Sequence, residues 1–224
     1  SPFKQDKRVN DRYLPENPYV GKISFKYYIT GADFIKNYFG QPENQTLSGD
    51  FSNLLFTQGY LTNYSIQFSP NAPIEVSAEI SFFDKVSGTF TKQSPTSVTG
   101  KILNLTNCKL QNLSNYTSYP LTNIIQANFS YQCNVTPSYK ITDTGNLDTL
   151  NRADRVSIGD KTISMEVTSD AVNFDIPISG DKFALIISGT NPNSLSSESW
   201  GCSGMVSSKN ISVDSNSTHS QTLR

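Results

Sequence analysis

The sequence predicts an all-β protein: an antiparallel β-sandwich or partly closed barrel with long hairpins and the marks of an internal duplication. Three observations carry this. Apolar and polar residues alternate with period two over long stretches, the pattern of a strand with one buried face. Gly, Pro and Asn turns bound these stretches, and no long run shows helical period. Finally, the first third of the chain partly recurs in the last third. Ile23-Ser24-Phe25-Lys26-Tyr27, Leu47-Ser48-Gly49-Asp50-Phe51 and Gly59-Tyr60 are matched in order by Ile163-Ser164-Met165-Glu166-Val167, Ile178-Ser179-Gly180-Asp181 and Gly201-Cys202. The order reads as duplication of one β unit, against chance recurrence of common turn residues.

The chain divides into an extended arm (1–20), a first β unit (21–88), a middle β segment and connection (89–158) and a second, repeat-like unit (159–224). The arm is polar, carries Pro2, Pro15 and Pro18, and has no hydrophobic period. Phe3, Tyr13, Leu14 and Tyr19 give it apolar anchors, so it is expected to lie on a neighbouring subunit. Gly21 opens the first strand, where Ile23, Phe25, Tyr27 and Ile29 alternate with Lys22, Ser24, Lys26 and Tyr28. Between Gly31 and Gly40, Phe34, Ile35 and Tyr38 are spaced for a short helical turn.

The clearest element is a long hairpin, Gly59–Phe83. On its outgoing strand Tyr60, Thr62, Tyr64, Ile66 and Phe68 share one face, and Leu61, Asn63, Ser65, Gln67 and Ser69 share the other. After a turn at Pro70–Pro73, Ile74, Val76, Ala78, Ile80 and Phe82 return on the apolar face. Glu75, Ser77, Glu79 and Ser81 return on the polar one. The middle segment is rich in Ser, Thr and Asn. It has strand-like stretches at Val98–Leu105 and Ile124–Val135, a loop at Asn112–Pro120 and a connection at Thr142–Asp154. Ile163–Thr168 opens the second unit. Val206–Val213 supplies its long strand, with a bulge to bring Ile211 into phase.

With 224 residues the chain is long enough for one large β domain or two small ones. Only 17% of residues are charged and the net charge is −1. Two surfaces fit that: one covered by copies of the same protein, or one kept wet by Ser, Thr and Asn. The absence of a large basic patch argues against tight binding to a phosphate backbone. No apolar run approaches the roughly 20 residues that span a bilayer. The visible start is not a secretory signal, although one cleaved before Ser1 stays open. Cys108, Cys133 and Cys202 read as buried thiols of a reducing cytoplasm, with a Cys108–Cys133 bond as the alternative. Asn-x-Ser/Thr triplets are frequent, as so Asn-rich a chain produces by composition.

Little here suggests catalysis. His219 is the single histidine and sits in a polar stretch with no frame to orient it. The cysteines and His219 lack metal-ligand spacing. Glu75 and Glu79 lie about 13 Å apart along one strand, beyond the roughly 5–9.5 Å of a glycosidase pair. No phosphate loop or nucleophile elbow is present. The expectation is a protein that is not an enzyme and holds no cofactor or metal.

The sharpest functional feature is the polar hairpin face: Asn63, Ser65, Gln67, Glu75, Ser77, Glu79 and Ser81. Within the hairpin it is slightly acidic and has no Lys or Arg. It reads either as an ordinary solvated face or as the lining of a channel that a polyanion crosses without sticking. The hairpin Gly59–Phe83, its repeat-like partner Gly201–Leu223 and the extended arm together resemble the tail-tube proteins of tailed bacteriophages. That resemblance implies a virion structural protein, made in the host cytoplasm, whose subunits form stacked homo-oligomeric rings. The long hairpins would join into an inner barrel that DNA crosses without tight binding, with other virion proteins as neighbours. Some members of the family carry two duplicated units per chain. Lys209 on the second long strand and the long middle segment depart from the pattern. A head–tail connector, baseplate or capsid-decorating protein is the alternative within the class. Outside it stands a secreted carbohydrate-binding or adhesin module, with Trp200, Tyr116 and Tyr119 as its aromatics.

Overall fold

Alternation along the chain becomes two antiparallel sheets in the computed structural model, which describes residues 18–92, 102–140, 152–170, 182–191, 194–205, 209–213 and 219–223. The large sheet runs in the order β1 (Gly21–Tyr28), β4 (Glu75–Phe82), β3 (Leu54–Phe68), β8 (Ile124–Ser138), β9 (Arg155–Ser169), β13 (His219–Leu223) and β12 (Lys209–Val213). Two short strands, β2 (Leu47–Phe51) and β5 (Ser87–Gly88), flank the first half of β3. The small sheet runs β11 (Ser194–Gly204), β10 (Phe183–Asn191), β6 (Asn104–Asn112) and β7 (Ser118–Pro120).

The core lies between the sheets. Tyr64, Ile66, Phe68, Val76, Phe129 and Val167 of the large sheet meet Cys108, Leu110, Leu185, Ile187 and Trp200 of the small one in one buried cluster. The Phe68 and Trp200 rings meet at 5.2 Å. Burial of these side chains is the main driving force for the sandwich. The predicted helical turn is present as a 3-10 turn, Phe34–Tyr38, capped by the Asp33 carboxylate on the Ile35 N–H. Its exit delivers Phe39 onto Tyr131 at 4.8 Å, Tyr64 at 4.8 Å and Phe129 at 5.6 Å.

A buried polar network ties the sheets together. The Asp33 carboxylate accepts from the Tyr27 hydroxyl at 2.8 Å and the Tyr64 hydroxyl at 2.5 Å. The Trp200 indole N–H donates to the Tyr64 oxygen at 2.9 Å. The Asp33 N–H donates to Glu198, which pairs with Lys36 at 2.5 Å, and the Lys36 ammonium lies 5.1 Å from the Trp200 ring centre. Burial followed by the nearby Asp33 charge pushes both tyrosine hydroxyls well above their ordinary pKa, so they remain donors.

Several expectations need correction. The alternation of the outgoing hairpin strand is broken by a bulge between Leu61 and Asn63. Leu61 therefore joins the main core, whereas Tyr60 turns outward into a small cluster with Phe83, Ala153 and Val156. Thr62 bonds to Glu79 and Ser81 on the polar side. The bulge inserts one residue, and with a side-chain period of two that exchanges the faces.

The sequence echo is not an echo of strand order. Ile23–Tyr27 lies in β1 at a sheet end, but Ile163–Val167 lies in the interior strand β9, paired to β8 and β13. Gly59-Tyr60 is in the large sheet and Gly201-Cys202 in the small one. The stretch Gly201–Leu223 is accordingly not a second copy of the hairpin, because β11 pairs with β10 and β12 pairs with β13. Ser179-Gly180-Asp181, Val98–Lys101, Val206 and arm residues Phe3, Tyr13 and Leu14 lie outside the described residues. The loop expected at Asn112–Pro120 holds the strand β7. The three cysteines are free thiols. Cys108 sits in the small sheet, where burial pushes its pKa up to about 12, and Cys133 sits in the large one.

Candidate functional site

The candidate site is the outer face of the large sheet. Cross-strand register aligns its side chains into three rows over β1, β4, β3, β8 and β9. The middle row is Lys26, Ser77, Ser65, Ser130 and Ser164. On one side runs Tyr28, Glu75, Gln67, Asn128 and Glu166, and on the other Ser24, Glu79, Asn63, Gln132 and Thr162. The sequence alternation that buries Phe129 and Tyr131 beneath points these polar residues outward. The Ser130 and Ser164 hydroxyls bond to each other at 2.7 Å. Above Ser65 and Ser77 the short side chains leave an open trough of about 580 Å³, rimmed by Ser24, Lys26, Asn63 and Glu79.

Of the seven residues expected on this face, Asn63, Ser65, Gln67, Glu75, Ser77 and Glu79 are brought together on it. Ser81 shares the face but is 4% exposed, beside Tyr60, so it is withdrawn from the open surface. The lysine-free character does not survive the register. β1 contributes Lys22, which pairs with Glu79 at 3.0 Å, and Lys26, which pairs with Glu75 at 2.8 Å. Both lysines were visible in the alternation of β1, but only the pairing of β1 with β4 places them beside the two glutamates. Glu79 is held below the ordinary carboxylate range by the Lys22 hydrogen bond, against partial burial, with help from Thr62 and Asn63. Bonding to Glu75 raises the Lys26 pKa. Lys22 and Lys26 thus balance Glu79 and Glu75, and Glu166 adds a third carboxylate, so the face stays slightly acidic.

The contribution of β8 and β9 was missed by sequence reasoning. The signal was present, since Gln126, Asn128, Ser130 and Gln132 alternate with Ala127, Phe129, Tyr131 and Cys133. Of the arm anchors, Tyr19 is described: its carbonyl accepts from the Tyr139 hydroxyl at 3.3 Å. Trp200 is 1% exposed and belongs to the core, so it offers no surface to a ligand, whereas Tyr116 is 75% exposed. Among the described residues no cluster of His, Cys, Asp and Glu is arranged to hold a metal ion. Among them, too, no helix is long and apolar enough to cross a membrane. No family model matches the chain, and no curated protein matches it.

Proposed function

We propose that this chain is a virion structural subunit that assembles edge to edge with its own copies into a ring or tube, of the tail-tube kind. The polar face of the large sheet forms the lining, and DNA crosses it without being held. The observation that carries this reading is the continuity of that face: three polar rows across five strands, with Glu75 and Glu79 each paired to a lysine of β1. A lining of paired charges and hydroxyls offers a phosphate backbone few unpaired cations to hold it. The two lysines of β1 reduce the acidic repulsion expected from the hairpin alone without removing it.

The sheet ends also support assembly. Among the described residues β1 pairs only with β4, and β12 only with β13. Open edges present unpaired N–H and C=O groups, which a neighbouring subunit satisfies. Other virion proteins are the expected neighbours of such a ring. The reading as a secreted carbohydrate-binding or adhesin module is weakened, because Trp200 is committed to the core and the polar face has no aromatic at its centre.

Electron microscopy and light scattering of the purified full chain test the proposal. Rings or tubes with Ser65 and Ser77 on the inner wall are the expected result. A monomer at high concentration, or this face turned to outer solvent, would overturn it.

A further inference from the structure

We propose that an apolar corner beside β1 receives the N-terminal arm, residues 1–17, of a second copy of this chain. The corner opens at the β1 edge of the large sheet and has a volume of about 360 Å³. Ile23, Phe51, Phe56, Phe82, Val86 and Phe90 line it. Phe51, Val86 and Phe90 are 45%, 38% and 56% exposed, so aromatic surface stays in water. Contiguous exposed apolar surface of this kind marks an interaction site. Directly beside it lies the open edge of β1, rimmed by Lys22 and Ser24. An apolar slot next to a free strand edge suits an extended segment that adds main-chain hydrogen bonds and inserts side chains. The arm fits in kind: its sequence has prolines at 2 and 15, which disfavour a helix, and Phe3, Tyr13 and Leu14 as side chains to insert.

The path of the chain indicates whose arm it is. Gly21 pairs with Phe82 at the corner. Just before it, the Tyr19 carbonyl is held by Tyr139, which follows β8 and packs on the outward cluster of Tyr60 and Phe83. The chain therefore reaches β1 from beside Tyr139 and the Tyr60–Phe83 cluster, none of which lines the corner. Residues 18–20 of a subunit thus run on the Tyr139 side and not along its own corner, which favours a neighbour's arm as the occupant. The inference rests on the self-assembly reading above and deepens it by naming the contact.

The test uses two full-length proteins, each with Cys202→Ser, one with Leu14→Cys and one with Ser24→Cys, mixed and treated with a short thiol cross-linker. A cross-link joining position 14 of one chain to position 24 of the other is expected. It should be lost with Phe51→Asp and Phe90→Asp, which should weaken association about tenfold or more while leaving the circular dichroism unchanged. Assembled material without the cross-link overturns this inference and leaves the ring reading standing. So does a cross-link formed within one chain of a Leu14→Cys/Ser24→Cys variant at monomeric dilution. Cross-linked pairs without rings overturn the ring reading and leave the docking. A protein that is monomeric at every concentration overturns both.

Discussion

Asp33 is 5% exposed, and three donors converge on its carboxylate from β1, β3 and the 3-10 turn. Its removal leaves two tyrosine hydroxyls and a backbone N–H without their acceptor, and each buried group left unsatisfied costs about 1–3 kcal/mol. Asp33→Ala is therefore expected to destabilise by at least about 2 kcal/mol, and Asp33→Asn by less, since the amide oxygen still accepts. Tyr64→Phe removes the acceptor of the Trp200 indole and should cost about 1–3 kcal/mol. Urea unfolding followed by fluorescence measures all three, because Trp200 is the sole tryptophan. Glu198 adds a pH dependence. Burial disfavours its charged form, but the Lys36 hydrogen bond and the Asp33 and Ser199 N–H groups outweigh this, so its pKa falls below 4.5. A depressed carboxylate stabilises fully above its unfolded value and loses that contribution as pH falls through the folded value. The melting temperature should drop as the solution is acidified below 4.5, and Glu198→Gln should flatten that drop. This network was not legible in the sequence, because Tyr27, Asp33, Tyr64 and Trp200 are brought together only by packing of the two sheets. Trp200 lies among serines, a context that looks like a surface loop until the strand pairs with β10.

At the scale of elements, alternation was readable wherever a strand keeps one phase. β1, the second half of β3, β4 and the core of β8 follow it. The bulge at Leu61 was invisible because Tyr60 and Leu61 are both apolar, so either phase looks like a buried face. The site was half legible for a related reason: a strand's own sequence shows what its outer face carries, but not which strand lies beside it. Sheet spacing makes a separate prediction. A Cβ at Gly189 of β10 would overlap the Ile74 Cδ1 and lie 3.2 Å from the Asn104 carbonyl oxygen. Ile74 is fully buried, so it has little room to yield. Gly189→Ala should cost about 1–3 kcal/mol by overpacking, and Ile74→Val, which removes the clashing methyl, should recover part of it. Thermal melts of the two single variants and the double variant decide this. Additive losses would mean that the glycine serves some other purpose.

At the scale of the molecule, the tube proposal makes the charge balance of the polar face decide how DNA would meet it. Replacing Glu75 and Glu79 by Lys removes two negative charges, adds two positive ones and frees Lys26 and Lys22 from their partners. The double variant is expected to hold short duplex DNA with an affinity that falls steeply with salt, whereas the unaltered protein should not retain it. Filter retention at two salt concentrations measures both. Equal binding by the two proteins would show that this face never meets the nucleic acid. The low overall charge of the chain fits either a surface covered by its own copies or one kept wet by Ser, Thr and Asn.

The order in which strands enter the sheets has a consequence for how the protein is made. The chain starts in the large sheet with β1 to β5, leaves for β6 and β7, returns for β8 and β9, leaves again for β10 and β11, and ends in the large sheet with β12 and β13. Because β10 sits between β6 and β11, the small sheet cannot close until residues near 204 have been synthesised. Until then the growing chain carries the apolar side of the large sheet, Phe68, Val76, Phe129 and Val167 among it, with no cover. Such interleaved, non-local pairing folds slowly and leaves sticky surface exposed on the way. Nascent copies held close together on one messenger are thus at risk of meeting through their unfinished cores before their finished edges exist.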